Sequence, residues 1–492
     1  MKQRILLALA LVVMFAAPAF ASVQNVKLSG FIDSTYLWRD RFDFSGRQLA
    51  PTASNDQYQQ SVFITQTGLR VDADLSDNVS TTIALLNERA WGEENQDAKG
   101  DQTDIDLYKA YVTLKEMLYS PLTVVIGRQN FNYGNAFIIG SIGPNNSTLA
   151  DSGLFGVAGD MTVRTSYDGI KAILDYNPLT VDVFAAKLDA NNLNGGSGPK
   201  VDDIDLYGIN ANYKLGDDMN TVVEGYFFAK IDNSTEIFTA ASPNAKAETV
   251  YVPGLHASTN PIKGLMVSGE VAWQGGTEVT SLSATPSNLK REAMGAQAIV
   301  TYALPFEETA KWNPVISTVY SYTSGDHNTY TNDDLTGTGQ ASSEKWTAWD
   351  PMLENQSGGK IYNSFYNLTN SHIVEIAAQV NPIEDVTTKL TWTGLWLDKD
   401  LTGAISQTAK SAGIGACTLV TCPRILPDGT TVLDTVTSNT NLGHELDADI
   451  SYAYTEDVSI GLSLGWFMPG NAYDSANNEN ARQAIAHVGV VF

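Results

Sequence analysis

Charged side chains recur at every second position in several stretches of this chain: Arg70, Asp72 and Asp74 in one, Glu445, Asp447 and Asp449 in another. A spacing of two scatters side chains around a helix but aligns them on one face of a β-strand. The residues between and beside them are apolar or aromatic: Leu69, Val71, Ala73 and Leu75 in the first stretch, Leu446, Ala448, Ile450 and Tyr452 in the second. Such strands suit a wall with lipid on one side and water on the other, because a cation on the lipid face at mid-membrane costs about 2–4 kcal/mol. Glu224 and Lys230 share one parity, and Glu375, Gln379 and Lys389 also point to the wet side. A wall carrying both signs of charge sets a field across a water-filled passage and tunes which solutes and ions pass. In a filled barrel the same charges would instead satisfy one another.

Little else in the sequence offers chemistry. His256, His327, His372, His444 and His487 are scattered and none stands in a motif with a nucleophile, so no general base is indicated and the chain does not read as an enzyme. Asp72-Ala-Asp74 and Asp104-Ile-Asp106 lack the Gly and terminal Glu of a calcium loop. No metal or cofactor is expected. Cys417 and Cys422, the only cysteines, sit in an apparent loop of an exported protein and are expected to form a local disulfide. Closing so short a loop contributes about 2 kcal/mol at most, which stiffens the loop without holding the fold.

The elements that must position these residues are strands. Eighteen alternating stretches are expected near 25–38, 58–75, 79–91, 104–117, 121–129, 163–176, 179–189, 203–214, 219–231, 247–259, 263–275, 290–304, 312–324, 367–380, 385–398, 441–454, 457–468 and 482–492. Sixteen would follow if two of them were wrongly split. Compact turns at 76–78, 177–178, 216–218, 260–262, 381–384 and 455–456 alternate with long polar connections, among them 130–162, 325–366 and 399–440. Short turns on one rim and long loops on the other are the asymmetry of an outer-membrane barrel, with the short side periplasmic. A connection as long as 130–162 has length enough to fold inward as a constriction or plug. Soluble sandwiches also use alternating strands, but they do not require an apolar face that persists on nearly every strand from turn to loop. Aromatic residues near strand ends, such as Tyr36, Trp38, Trp91, Tyr111, Tyr119, Tyr226 to Phe228, Trp392, Trp396, Trp466 and Phe467, suit two interfacial girdles.

The chain opens with Met1-Lys-Gln-Arg4, an apolar run from Ile5 to Ala17 and Ala19-Phe-Ala21, the pattern of a secretory signal peptide cleaved after Ala21. The division is therefore a signal peptide over 1–21 and an antiparallel all-β transmembrane barrel over 22–492. Cleavage removes two cations and no acids, taking the formal charge from −25 to −27. So acidic a chain is unsuited to nucleic acid, whose binding rests on Lys and Arg neutralising phosphates.

Trp91-Gly92, Leu107-Tyr-Lys-Ala-Tyr-Val112, Gly127-Arg-Gln-Asn-Phe-Asn-Tyr-Gly134, Tyr167-Asp-Gly-Ile-Lys171, Leu442-Gly-His-Glu-Leu-Asp447 and Trp466-Phe-Met-Pro-Gly470 follow one another in an order that resembles the alginate-export-type family of outer-membrane barrels. The resemblance implies eighteen strands around a polar, loop-gated pore. It also implies that Arg128 is a lumen cation and that Glu445 and Asp447 are lumen carboxylates near the closing seam. The alginate exporter's conduit is strongly cationic, whereas this lumen is expected to mix Arg70, Lys109, Arg128, Lys171 and Lys389 with at least as many acids. The expected function is therefore an outer-membrane channel for passive diffusion of small hydrophilic solutes or ions, with a modest cation preference. Its partners would be outer-membrane lipid and the solutes themselves. Two rivals are a polysaccharide exporter, which would need periplasmic secretion partners, and a sheath around an electron-transfer chain, which would need cytochrome partners.

Overall fold

The computed structural model describes residues 25–44, 59–92, 105–141, 154, 157–190, 203–233, 247–280, 287–305, 310–326, 345–356, 358–400, 421–426 and 431–492. The signal peptide and Cys417 lie outside these residues. Alternation of apolar and polar residues builds eighteen barrel strands among the described residues. In chain order they are β1 (Asn25–Asp40), β2 (Gln59–Ser76), β3 (Val79–Ala90), β4 (Asp106–Leu114), β5 (Leu122–Gln129) and β6 (Tyr167–Asp175). The middle six are β7 (Leu179–Ala190), β8 (Asp203–Lys214), β9 (Val222–Asp232), β10 (Glu248–Ile262), β11 (Leu265–Thr280) and β12 (Ser287–Ala303). The last six are β13 (Val315–Thr323), β14 (Ser371–Ile383), β15 (Val386–Leu397), β16 (Asn441–Ala453), β17 (Val458–Pro469) and β18 (Ala481–Val491). Each expected stretch overlaps one of them.

Every strand pairs antiparallel with its neighbour in sequence, and β18 closes on β1 from Phe31↔Val491 to Asp40↔Arg482. Closure leaves no edge, so the backbone groups of the wall are satisfied without water, as a lipid-embedded sheet requires. The seam ends in a reciprocal pair, Gly30 N to Phe492 O at 2.9 Å and Phe492 N to Gly30 O at 3.0 Å. A Cβ on Gly30 would stand 2.6 Å from the Phe492 ring, so the seam needs glycine there.

The outward face is apolar and exposed along the barrel, as at Phe63, Leu69, Ile83, Ile170, Val183, Ile209, Leu446 and Leu464. Among the described residues no helix is long and apolar enough to cross a membrane; the strands do so. The two Asn-Pro-Ile turns differ from expectation. β10 and β14 run through these residues to Ile262 and Ile383 and turn at 263–264 and 384–385, with register shifts just before each turn. Proline is tolerated where a bulge at a strand end frees it from the ladder. Inside the long connection 399–440 the chain forms a further hairpin, Thr421–Ile425 with Thr431–Thr435, whose first strand carries Cys422.

Tyr226, Phe228, Phe467 and Tyr111 are corrections to the expected girdles. The first three are buried in the interior core and Tyr111 lies opposite inward Thr82, while Phe227 is exposed on the outer face. Trp91, by contrast, stacks on Phe63 with ring centroids 4.9 Å apart on the outside.

Candidate functional site

The lumen is occupied by the described parts of two long connections, 130–141 and 157–166 between β5 and β6 and 345–356 and 358–370 between β13 and β14. Their composition explains the inward path. Phe131, Tyr133, Phe137, Ile138 and Ile139 in the first, and Trp349, Met352, Leu353 and Phe365 in the second, form one buried cluster with the inward Phe184, Tyr226, Phe228, Val250 and Val252. Each such side chain gains about 1.5–3 kcal/mol by leaving water. The two connections also bond to each other: Ile139 and Leu353 bridge in parallel, with Gly140 N to Leu353 O at 2.9 Å, Leu353 N to Ile138 O at 3.1 Å and Asn355 N to Ala136 O at 2.9 Å.

Irregular backbone inside a barrel carries N–H groups that the ladder does not satisfy. Wall carboxylates take them up. Glu445, 0% exposed, accepts Ile361 N and Tyr362 N, each at 2.7 Å. Glu224 accepts Gly134 N at 2.9 Å, Glu270 accepts Asn135 N at 2.7 Å, and Glu88 accepts Val163 N at 2.8 Å. Gly134 has a φ of +55°, and a Cβ there would lie 2.5 Å from Glu270 Oε2, so only glycine brings the chain this close.

Ion pairs fasten the same segments. Lys230 Nζ reaches Asp350 Oδ2 at 2.7 Å, and Gln274 exchanges two bonds with the Asp350 backbone at 2.6 and 2.8 Å. Arg291, 2% exposed, reaches Glu248 at 3.1 Å and also pairs with Glu278. Burial opposes ionisation of Asp350, but the facing charges of Lys230 and Arg291 overcome it and hold this carboxyl below the ordinary carboxylate range. Arg39 joins the first connection through Asp160 at 2.5 Å.

The sequence-selected residues divide accordingly. Arg70 and Asp72 lie on the inner face and pair at 2.7 Å, with Thr82 donating to Asp72 at 2.6 Å, and Asp74 is exposed toward the short-turn rim. Lys109 stands inward beside Tyr108, 4.9 Å from its ring centroid, because the β3–β4 register shifts there. Lys171 faces Phe131 at 5.8 Å. Glu224, Lys230 and Glu445 are loop anchors, and Asp447 is buried one inward position below Glu445. Asp449 meets Lys360 at 3.2 Å, while Glu375 and Lys389 stand on the adjoining wall of β14 and β15.

Arg128 is a correction. It shares the face of Ile126 (38% exposed), pairs in register with Asp168 two residues before the 54%-exposed Ile170, and forms a 3.0 Å ion pair with Asp168 on the outer surface. Val124, Val125 and Ile126 are all apolar, so alternation within β5 does not choose a face; cross-strand pairing does. The expectation of a simply polar interior is also corrected, since the upper lumen holds the aromatic cluster described above. Glu88, Glu248, Glu270, Glu278 and Arg291 went unrecognised in the sequence, although parity with neighbouring inward positions marks each of them. Asp350 and Asp160, on irregular backbone, carry no such mark. Among the described residues no group of three or more His, Cys, Asp or Glu side chains is arranged to hold a metal.

A closed eighteen-strand barrel with an apolar outer band and a charged, loop-lined interior is an outer-membrane β-barrel channel. Residues 39–487 match the alginate export family, and the chain belongs to it. No curated protein matches the chain. Solved structures from Pseudomonas aeruginosa share the fold. OccK2 (OpdF) in complex with glucuronate is 10% identical with a TM-score of 0.51, covering 96% of this chain and 98% of its own. The outer membrane protein OpdK is 7% identical with a TM-score of 0.52, covering 96% and 99%. OpdK with vanillate is 9% identical with a TM-score of 0.50 over the same shares.

Proposed function

We propose that this barrel passes small hydrophilic solutes and ions by passive diffusion, with a modest preference for cations. The carrying observation is the inner wall's charge pattern. Its cations are largely spent on partners, as in Arg39–Asp160, Arg70–Asp72, Lys230–Asp350 and Arg291 with Glu248 and Glu278. Among the described residues Asp74 and Glu375, by contrast, have no ion pair within 4 Å. An acidic excess along a narrowed passage raises local cation concentration and repels anions.

A polyanion exporter would need a continuous track of available cations. Lys109, Lys171 and Lys389 on β4, β6 and β15, and Lys27 and Lys214 on β1 and β8 at the short-turn rim, are inward cations without an ion pair among the described residues, and they are spread over the wall without forming a track. An electron-transfer sheath would need an open bore, and inward-packed connections weigh against it. The bound glucuronate and vanillate of the fold relatives are consistent with small solutes as cargo.

The test is the reversal potential across a planar bilayer under a salt gradient. A cation-selective potential that shrinks as salt rises is expected, since exposed charges are screened beyond about 10 Å at 0.1 M salt. Asp449→Asn should move it toward zero. Anion selectivity in the unmodified protein would transfer support to the exporter.

A further inference from the structure

Two neighbouring strands bring oxygen-bearing side chains together at one level of the inner wall. On β16 these are Glu445 and Asp447, two residues apart and therefore on one face. On β15 they are Thr393 and Thr391, in register opposite Glu445 and Asp447 respectively. Side chains directly opposite across a ladder have Cβ atoms about 5 Å apart, so the four crowd one patch. The patch is sealed: Glu445 and Thr393 are 0% exposed, Asp447 4% and Thr391 5%. The second inward connection covers it, with Ile361 N and Tyr362 N bonded to Glu445.

Donors run short here. Both carboxylate oxygens of Asp447 and Oγ1 of Thr393 are buried without a hydrogen-bond partner. The cations on this part of the wall stand one inward position lower, where Lys360 pairs with Asp449 at 3.2 Å and Lys389 lies in register with Asp449. Glu375, in register with Thr393 from β14, adds a further carboxylate and no counter-charge. His444 stacks on Trp392 on the outer face, with ring centroids 5.7 Å apart, so its imidazole does not serve the patch. Glycine keeps the flanks of both acids clear: a Cβ would lie 3.0 Å from Asp447 Oδ1 at Gly465 and 2.7 Å from Glu445 Oε1 at Gly359.

Charges are buried in proteins when they are paired or coordinate a metal. One shared proton would satisfy a single oxygen of Asp447 and leave the rest of the cluster as it is, whereas one divalent cation satisfies these oxygens together. An all-oxygen donor set selects a hard cation. Calcium takes about six to eight oxygens and suits a dry site better than magnesium, which keeps several of its waters. Two carboxylates are a small acidic set, and the Thr393 hydroxyl supplies the additional side-chain oxygen. Each Glu445 oxygen retains a lone pair beyond the N–H bond it accepts.

We propose that Glu445, Asp447 and Thr393 form a calcium site in the inner wall, and that the bound ion fastens the segment 359–362 to β16. The site goes beyond the channel reading and does not depend on which solutes pass.

The experiment is equilibrium dialysis of the intact, detergent-purified barrel, first freed of metal with a chelator, against radioactive calcium. Salt at about 0.1 M screens diffuse binding to the acidic surface. One tightly held calcium per chain is expected. Asp447→Asn should weaken it about 100-fold, since affinity in such sites follows ligand charge. Thr393→Val, which removes only the hydroxyl, should weaken it about tenfold. Asp168→Asn, on the outer face, should retain it. Heat-dependent gel migration checks folding and gives a second readout: calcium should raise the temperature at which the parent loses compact migration, but not that of Asp447→Asn. If Asp447→Asn fails to fold, the parent's stoichiometry and Thr393→Val decide the matter. A parent that retains no calcium, or variants that retain it as tightly as the parent, overturn the site and leave a shared proton between the two acids.

Discussion

Two sets of ion pairs in this barrel are built from the same residue types and differ in which face of the wall they occupy. On the outside, Arg128–Asp168 at 3.0 Å and Lys187–Asp205 at 2.6 Å form an alternating ladder across β5 to β8, with the Asp168 side chain 64% exposed. On the inside, Lys230–Asp350 and Arg291 with Glu248 and Glu278 are buried between wall and inward connection. Exposed pairs gain about 0–1 kcal/mol, because water already solvates both partners. Breaking a buried pair leaves a charge with neither water nor counter-ion and costs about 3–5 kcal/mol. The outer ladder therefore dresses the rim, whereas Lys230–Asp350 in the inner network holds the connection against the wall and Arg291 ties the strands beside it.

Arg291→Met should give the largest effect. Glu248 and Glu278 would be left facing each other in a dry site, and the temperature at which the barrel loses its compact gel migration should fall steeply. A loss of about 3–5 kcal/mol is expected; a variant as heat-resistant as the parent would show that the network is not needed.

Lys230→Met should come next. With Asp350 unpaired, the segment 345–356 loses its main ionic anchor, and single-channel conductance should rise or begin to step between levels. Unchanged, quiet conductance would separate this latch from the passage.

Acid should act on the same latch with a definite sign. The folded Asp350 carboxyl ionises more readily than an unfolded one, whose value is about 3.9, so its contribution is complete above that value and is lost as pH falls through the lower folded value. Hydrogen-exchange protection of 345–356, corrected for intrinsic rate, should persist to about pH 4 and decline below it. Asp350→Asn should lack that acid step; an identical profile in the variant would assign it to another group.

The smallest effect belongs to Arg128→Ala. Removing an exposed pair should cost less than about 1 kcal/mol and leave reversal potential unchanged, because the side chain is outside the lumen. A shift in selectivity would place Arg128 in the ion path and undo the comparison.

The residue pattern alone determined the wall. Outward Leu446, Ala448 and Ile450 alternating with inward Glu445, Asp447 and Asp449 could be read directly, because a strand's period of two is local and lipid tolerates no cation at mid-depth. The closing Phe492 was legible for the same reason, and the turns at 76–78, 177–178, 216–218 and 455–456 from their own Asn, Asp, Gly and Pro residues, whereas the two Asn-Pro-Ile segments lie within strands. Tertiary structure alone decided the rest. The face of Arg128 was settled by its pairing across β4 and β6, since a locally apolar run such as Val124-Val-Ile126 has no parity to read. Apolar residues in the connections, from Phe131 to Ile139 and from Trp349 to Leu353, showed that these segments needed burial, but not which wall would receive them. That choice depended on Glu224, Glu270 and Glu445, far apart in sequence, meeting backbone N–H groups that local spacing does not encode.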